Sequence, residues 1–274
     1  MKNTIAIVTL ALFVIGWIIF LSSARRKKKK IKDKLNEQFP GLYRTILENK
    51  VLFYRLLNET DKRLFEKRVQ LFLATKKIEP VDTEIDDTVK LMVASSAIIP
   101  TFAFPQYNYP SVKTVLIYPN SFDEDFKTEN LEGHKQGILG MVGNRFLDGT
   151  VLLSKPDLLR AYDGLPHKSN VGVHEFVHLL DKEDGAIDGI PERLTDHSFV
   201  GPWLHEIKNE IDQIQKGKSD IDPYALKNNA EFLAVVSEYF FSNPDKFRKR
   251  HPELYGFLEV IFNKNPTSET EKTE

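Results

Sequence analysis

The feature that most constrains the fold is an apolar segment, residues 171–180, that carries two histidines. The apolar pattern predicts a buried helix, on which His174 and His178 are one turn and about 40° apart. Two imidazole nitrogens at this spacing converge on one tetrahedral ion. Burying both rings without an ion would leave their hydrogen-bonding capacity unused. The segment therefore predicts a metal centre, and a fold that brings another ligand from elsewhere in the chain.

Glu175 completes an HExxH motif with these histidines. Its carboxylate lies on the same arc of the predicted helix and can reach a water at the open position of a zinc ion. There it can accept the proton of a water that attacks a carbonyl, and pass this proton to the departing amine. We expect such a pentapeptide by chance in about one chain in seventy of this composition, so the motif favours catalysis over a merely polar stripe.

The other five histidines offer less chemistry. They lie in polar or loop contexts, which predicts that they are surface residues: His134, His167, His197, His205 and His251. The chain also contains no cysteine, which excludes disulfides, iron–sulfur clusters, thiolate zinc sites and cysteine nucleophiles. A metal must therefore be held by histidines and carboxylates.

A catalytic zinc needs a third protein ligand, and two acidic residues close to the motif are weak candidates. Asp184 stands where the HExxHxxGxxH type has its last ligand, but Asp181 replaces the glycine that turns the chain in that type. Asp181 itself lies two turns beyond His174, which suits a supporting residue better than a ligand.

Two further candidates, Glu231 and Glu238, lie on a second apolar helix, predicted over residues 229–241 with Asn228 as its N-cap. The side chains of both glutamates lie on the same face of the predicted helix. They are about 10.5 Å apart along the helix axis, so only one of them can bind the ion directly. Helical spacing alone leaves the choice between them open.

The rest of the chain after residue 35 predicts one mainly helical α+β domain. Apolar residues recur at three and four spacing over 35–77, which predicts two or three amphipathic helices. Short β-branched runs predict strands at 112–118, 138–141 and 150–153. Further helices are predicted at 85–98, 156–162, 171–180, 202–215, 229–241 and 244–262.

The N-terminus carries 22 uncharged residues, 3–24, followed by eight basic residues within 25–34. A helix of this length reaches about 33 Å, which matches a hydrocarbon core of about 30 Å. A cleavable signal peptide is the alternative, but the basic block favours a stop to translocation. We therefore predict a transmembrane anchor over 1–24 and a basic juxtamembrane linker over 25–34.

Charge predicts the topology and limits the partners. The positive-inside bias places the catalytic part in the cytoplasm of a bacterial inner-membrane protein with a single pass, and the basic block favours anionic lipid headgroups. Residues 35–274 contain 29 basic and 38 acidic residues, a net charge of −9, which argues against nucleic acid as a partner. The catalytic domain is predicted over 35–262, with a flexible tail over 263–274.

Three segments of the chain are informative together: HEFVHLLD at 174–181, IDPYA at 221–225 and AEFLAVVSEYFF at 230–241. They resemble the Mlc titration factor A family of bacterial zinc peptidases, which is similar to the catalytic domain of anthrax lethal factor. Further likeness at 115–119 and 149–154 extends the resemblance over most of residues 40–260. It implies a zincin-like fold with a small sheet beside two metal-bearing helices.

The resemblance also implies roles for single residues. Glu231 is then the third ligand, and Tyr224 lies across the metal from Glu175. A phenol in that place can donate a hydrogen bond to the oxyanion that forms on attack. In zincin-like folds an edge strand aligns the substrate backbone, and residues 149–153 are the candidate.

Together these observations predict a membrane-anchored zinc metallopeptidase with one zinc per chain, a peptide or protein substrate and a regulatory protein partner. The predicted ligands are His174, His178 and Glu231, and the predicted catalytic residues are Glu175 and Tyr224. Two alternatives are a zinc-binding regulatory or interaction module with little turnover, and a hydrolase of a non-peptide amide. The complete residue set favours catalysis, because an interaction module has no need of Glu175.

Overall fold

The computed structural model describes residues 2–121, 140–142, 148–164, 169–191, 194–195 and 197–263. The chain divides into two compact units, Met1–Phe39 and Pro40–Glu274. Helix α1, Lys2–Asn36, belongs to the first unit. The predicted tail lies outside the described residues from position 264 onward, as do His134 and His167.

The predicted membrane anchor is not supported. In the described part of the chain no helix is long and apolar enough to cross a membrane. This finding overturns the predicted transmembrane helix and, with it, the predicted location as a single-pass inner-membrane protein.

The second unit is mainly helical, as predicted. Its described α-helices are α2 (Gly41–Lys50), α3 (Leu52–Leu56), α4 (Glu59–Thr75), α5 (Asp87–Ile98), α6 (Lys155–Arg160), α7 (Val171–Asp181), α8 (His197–Gln215), α9 (Asn229–Ser242), α10 (Pro244–Arg250) and α11 (Pro252–Asn263). Short 3-10 helices cover Ile99–Thr101, Lys182–Asp184 and Pro223–Leu226. The last of these precedes α9 and carries Tyr224.

The single helix predicted over 244–262 is divided into two at His251. This residue precedes Pro252, and its φ of −134° lies outside the helical region, because a proline disfavours that conformation in the residue before it. His251 is also buried, contrary to the sequence prediction, whereas His197 and His205 are exposed as predicted.

Four short strands form one mixed sheet: β1 (Lys77–Pro80), β2 (Thr114–Tyr118), β3 (Gly140–Val142) and β4 (Thr150–Ser154). Their order is β1–β2–β4–β3, with both β1 and β4 parallel to β2, and β3 antiparallel to β4. Strand β4 is paired on both sides, so the edge position predicted for residues 149–153 is wrong. In the described part of the sheet, β3 is the outermost strand next to β4.

Helices α5, α7 and α9 supply much of the core of the second unit. Helix α7 packs against both of the others. Its approach to α5 requires Gly172, because a Cβ at this position would overlap the side chain of Ser96. Every residue of α9 from Ala230 to Phe240 is buried. The helix with the HExxH motif and the helix with Glu231 and Glu238 therefore lie side by side.

Candidate metal centre

Asparagine caps begin the two helices of the site. The Asn170 side chain accepts a hydrogen bond from Val173 N (3.1 Å) and starts α7 one turn before His174. The Asn228 side chain accepts one from Glu231 N (2.8 Å), as its predicted N-cap role requires. Each cap satisfies a backbone donor that has no partner within its own helix. Glu231 is thereby placed in the first turn of α9.

Three side chains from α7 and α9 converge. His174 Nε2 lies 3.1 Å from His178 Nε2 and 3.0 Å from Glu231 Oε2, and His178 Nε2 lies 3.3 Å from the same oxygen. All three residues are largely buried. Among the residues that the structure describes, this is the set of histidines and carboxylates that could hold a metal ion.

Glu238 binds the opposite edge of one imidazole. Its Oε1 lies 2.7 Å from His174 Nδ1, while its Oε2 accepts a hydrogen bond from Asn170 N. Burial alone would lower the pKa of His174, but Glu238 and Glu231 together raise it well above its ordinary value. With Nδ1 held by Glu238, the ring points Nε2 toward Glu231 and His178.

Glu231 divides its two oxygens between different partners. Oε2 faces the histidines, whereas Oε1 accepts a hydrogen bond from Lys227 Nζ (2.9 Å) and lies 3.5 Å from the Tyr224 hydroxyl. Burial would raise the pKa of Glu231, but hydrogen bonds from His174, His178 and Lys227 hold it far below its ordinary value. This carboxylate is therefore ionised in the folded protein.

Glu175 is buried beside the ligand group, with 5% of its surface exposed. Burial, opposed by the neighbouring His174, raises the pKa of Glu175 to about 7. Strand β3 passes directly over it, since a Cβ at Gly140 would lie 2.6 Å from Glu175 Oε1. A larger residue at position 140 would require the side chains of Glu175 and Val171 to shift, so this close approach favours glycine.

The two acidic residues near the motif take other partners. Asp181 is buried, and its Oδ2 accepts a hydrogen bond from Gly189 N (2.9 Å) in the loop that packs against the start of α9. Burial raises the pKa of Asp181 to about 6. Asp184 accepts a hydrogen bond from Ala186 N (3.0 Å). Neither belongs to the group of side chains that could hold a metal.

Tyr224 lies at the mouth of the site, with 43% of its surface exposed and its ring centroid 6.1 Å from that of His174. Lys227 Nζ donates to its hydroxyl (3.1 Å). Sequence analysis did not find Lys227. The spacing in the sequence could have indicated Lys227, because it lies three residues after Tyr224 and four before Glu231. At this spacing the three side chains lie on one side of the turn that starts α9.

Two histidines from one helix, a glutamate from the next and a buried glutamate beside them form a centre of the metallopeptidase type. The comparison with known families agrees with this class. The sequence model of the glucose-regulated metallo-peptidase M90 family matches residues 22–263, and the chain belongs to this family.

Relatives match along most of their length. Mlc titration factor A of Escherichia fergusonii is 31% identical over 78% of this chain and 83% of its own, and that of Cronobacter sakazakii is 30% identical over 77% and 82%. An uncharacterized protein of Synechocystis is 29% identical over 86% of this chain and 88% of its own. The resemblance predicted from residues 174–181, 221–225 and 230–241 is thus confirmed at the level of the family.

Proposed function

We propose that the protein is a zinc-dependent peptidase with a zincin-like catalytic domain over residues 35–262. His174, His178 and Glu231 bind the zinc, and Glu175 is the general base. The observation that carries this proposal is the convergence of three ligand atoms at 3.0–3.3 Å, with the buried Glu175 next to them.

The donor set supports zinc. Ligand atoms about 2.05 Å from a tetrahedral zinc are about 3.3 Å from each other, close to the three observed distances. Two imidazoles and one carboxylate suit zinc, whereas magnesium and calcium prefer oxygen ligands. Two imidazole nitrogens 3.1 Å apart can also share at most one proton, so a cation between them is favourable.

When bound, zinc acidifies a water and polarises the carbonyl of the substrate. Glu175 accepts a proton from the attacking water on its carboxylate and then donates it to the leaving amine. Glu238 keeps the His174 ring in place through Nδ1. The exposed Tyr224 hydroxyl donates a hydrogen bond to the oxyanion of the substrate.

Strand β3 is the proposed guide for the peptide. In the described sheet, β3 pairs with β4 on one side only, so the backbone groups of its other side are available to an extended peptide. Because Gly140 passes over Glu175, a peptide paired with β3 would lie close to the general base. This role replaces the one predicted for residues 149–153.

The proposal is tested by Glu175→Gln in the full-length protein. We expect the variant to keep one zinc per chain and to lose peptide cleavage, because the amide does not accept the proton of the water. The measurement combines metal analysis with cleavage of a quenched peptide library. Glu79→Gln is the control, because Glu79 is an exposed glutamate on β1.

Full cleavage by Glu175→Gln contradicts the proposed mechanism. Wild-type protein that holds zinc and cleaves no peptide in any library contradicts the proposed activity. That result favours the alternative of a regulatory module.

A regulatory protein partner is a second proposal. It is supported by the name of the relatives, which describes titration of Mlc. If this chain also binds a regulatory protein, binding and catalysis separate in one variant. Glu175→Gln should then retain the partner with unchanged affinity and lose only cleavage, as measured by co-purification followed by calorimetry.

A further inference from the structure

Lys227 contacts two residues of the proposed active site at once. Its ammonium group donates to Glu231 Oε1 (2.9 Å) and to the Tyr224 hydroxyl (3.1 Å), and it lies 5.0 Å from the centroid of the Tyr224 ring. The Glu231 side chain is 11% exposed and that of Lys227 56%. The lysine thus reaches from the surface to a nearly buried carboxylate.

We propose that Lys227 is a positioning residue that restricts Glu231 to one metal-binding oxygen and so keeps a coordination position open for water. This inference rests on the proposed role of Glu231 as a zinc ligand. Lys227 acts through its contact with Glu231.

The orientation of the Glu231 carboxylate carries this argument. Oε2 is 3.0 Å from His174 Nε2 and 3.3 Å from His178 Nε2, while Oε1 is turned to Lys227. A carboxylate can bind an ion through one oxygen or through both. Turning Oε1 toward the ion would break a charge-assisted hydrogen bond to an ammonium group. Lys227 therefore favours the arrangement with one oxygen.

This restriction matters for catalysis because a catalytic zinc keeps one position free beside its three protein ligands. Two imidazoles and both oxygens of Glu231 would occupy four positions. The ammonium charge also opposes the binding of a second cation close by. Removal of Lys227 should consequently strengthen metal binding and slow turnover. Loss of a residue that only supports the ligands would instead weaken metal binding.

The test uses cobalt(II) in place of zinc in the full-length protein, since its visible absorption reports the number of ligands. In Lys227→Met we expect weaker visible bands, typical of a higher coordination number, than in the wild type. Chelator titration should give an affinity equal to that of the wild type or higher. With the zinc protein, kcat should fall by about tenfold or more while KM changes little.

Three variants serve as controls. Lys216→Met removes a lysine from an exposed pair with Asp212 at the same spacing of four residues and should match the wild type in all measurements. Lys227→Arg keeps a donor for Oε1 and should restore the wild-type spectrum. Tyr224→Phe leaves Lys227 on Oε1 and should not change the spectrum.

An unchanged cobalt spectrum in Lys227→Met overturns the inference, as does a tenfold loss of metal affinity. Identical spectra for the wild type and Glu231→Ala also overturn it, since Glu231 is then no ligand. Failure of the proposed function is seen separately. A cobalt-loaded wild type without peptidase activity contradicts that function, while the spectra of the wild type and Lys227→Met still decide the role of Lys227.

Discussion

Among the residues that the structure describes, the second unit contains two largely buried clusters of histidine and carboxylate with opposite balances of donors and acceptors. In the metal centre, the Nε2 atoms of His174 and His178 lie 3.1 Å apart and share one oxygen of Glu231. In the His251 cluster, formed by His251, Glu210 and Asp220, the single ring has a carboxylate on each side. Its Nδ1 is 3.2 Å from Glu210 Oε1 and its Nε2 is 2.9 Å from Asp220 Oδ1.

The comparison teaches how an ion pair differs from a metal site. A protonated His251 places one positive charge between two carboxylates, with a hydrogen bond from Nε2 to Asp220 and an ion pair from Nδ1 to Glu210. Asp220 also receives the Tyr239 hydroxyl (3.0 Å) and lies within 3.5 Å of Lys246 and Arg250. In the metal centre, two protonated rings would instead direct N–H groups at each other. Acceptors that converge on one point favour the binding of a cation, whereas alternating donors and acceptors favour a structural cluster.

The largest expected effect separates the two clusters by their affinity for metal. His174→Ala and His178→Ala should each lower the zinc affinity by more than the 10–100-fold typical of residues outside the ligand set, because two ligands hold the ion poorly. His251→Gln should keep one zinc per chain. Metal analysis after dialysis against a weak chelator measures both. Zinc retained by His174→Ala and lost from His251→Gln would reverse the assignment of the clusters.

The next effect is smaller and falls within the metal centre. Glu231→Ala should lower zinc affinity as strongly as loss of a histidine. Glu238→Ala should lower it by about 10–100-fold, since Glu238 contacts His174 at Nδ1 and not at the metal-facing Nε2. Competitive chelator titration of the two variants side by side is the measurement. If Glu238→Ala loses the ion and Glu231→Ala holds it, the wrong glutamate has been assigned as the ligand.

Local patterns predicted much of this centre. The period of the apolar residues gave α7 within one residue, and the capping rule gave Asn228 as the start of α9. Helical spacing could not choose between Glu231 and Glu238, because the choice depends on where α7 crosses α9. Only the family resemblance pointed to Glu231, the glutamate that the structure brings to both histidines.

Contacts between distant segments were not predictable in the same way. The place of β4 inside the sheet follows from its pairing with β2 and β3, which no periodicity reveals. Strand β1 was missed because only one of its four residues is even partly buried. The polar context of His251 in the sequence predicts a surface residue, because its partners Glu210 and Asp220 lie 41 and 31 positions earlier.

The His251 cluster should reveal itself in stability. Removal of the imidazole takes the positive charge away from the buried Glu210 and removes one of the partners of Asp220, so His251→Gln should lower the free energy of unfolding by about 3 kcal/mol at pH 6. Urea denaturation measures this difference, with His205→Gln, an exposed histidine of α8, as the control. A loss below about 0.5 kcal/mol would show that the cluster is not a stabilising ion pair.

The same variant has an expected pH dependence. Burial would lower the pKa of His251, but its hydrogen bonds to Glu210 and Asp220 raise it above its ordinary value. The stabilisation is therefore complete below the unfolded pKa of about 6.5 and is lost as the pH rises through the folded value. The pKa of Glu210 is lowered, despite burial, by His251, so its own contribution is lost in acid. The difference between wild type and His251→Gln should accordingly be largest near pH 6 and smaller at pH 9.

The smallest expected effect comes from one hydroxyl group in each cluster. Tyr239→Phe removes the donor to Asp220 Oδ2 in a buried setting and should cost about 1–2 kcal/mol of unfolding free energy, with zinc affinity unchanged. Tyr224→Phe removes an exposed hydroxyl and should leave stability within about 0.5 kcal/mol of the wild type. Thermal and urea unfolding of the two variants, each with and without zinc, give the comparison. Equal losses of stability would show that the Tyr224 hydroxyl is a structural partner of Glu231 and Lys227, and a polar group positioned for a substrate would then have to be sought elsewhere in the centre.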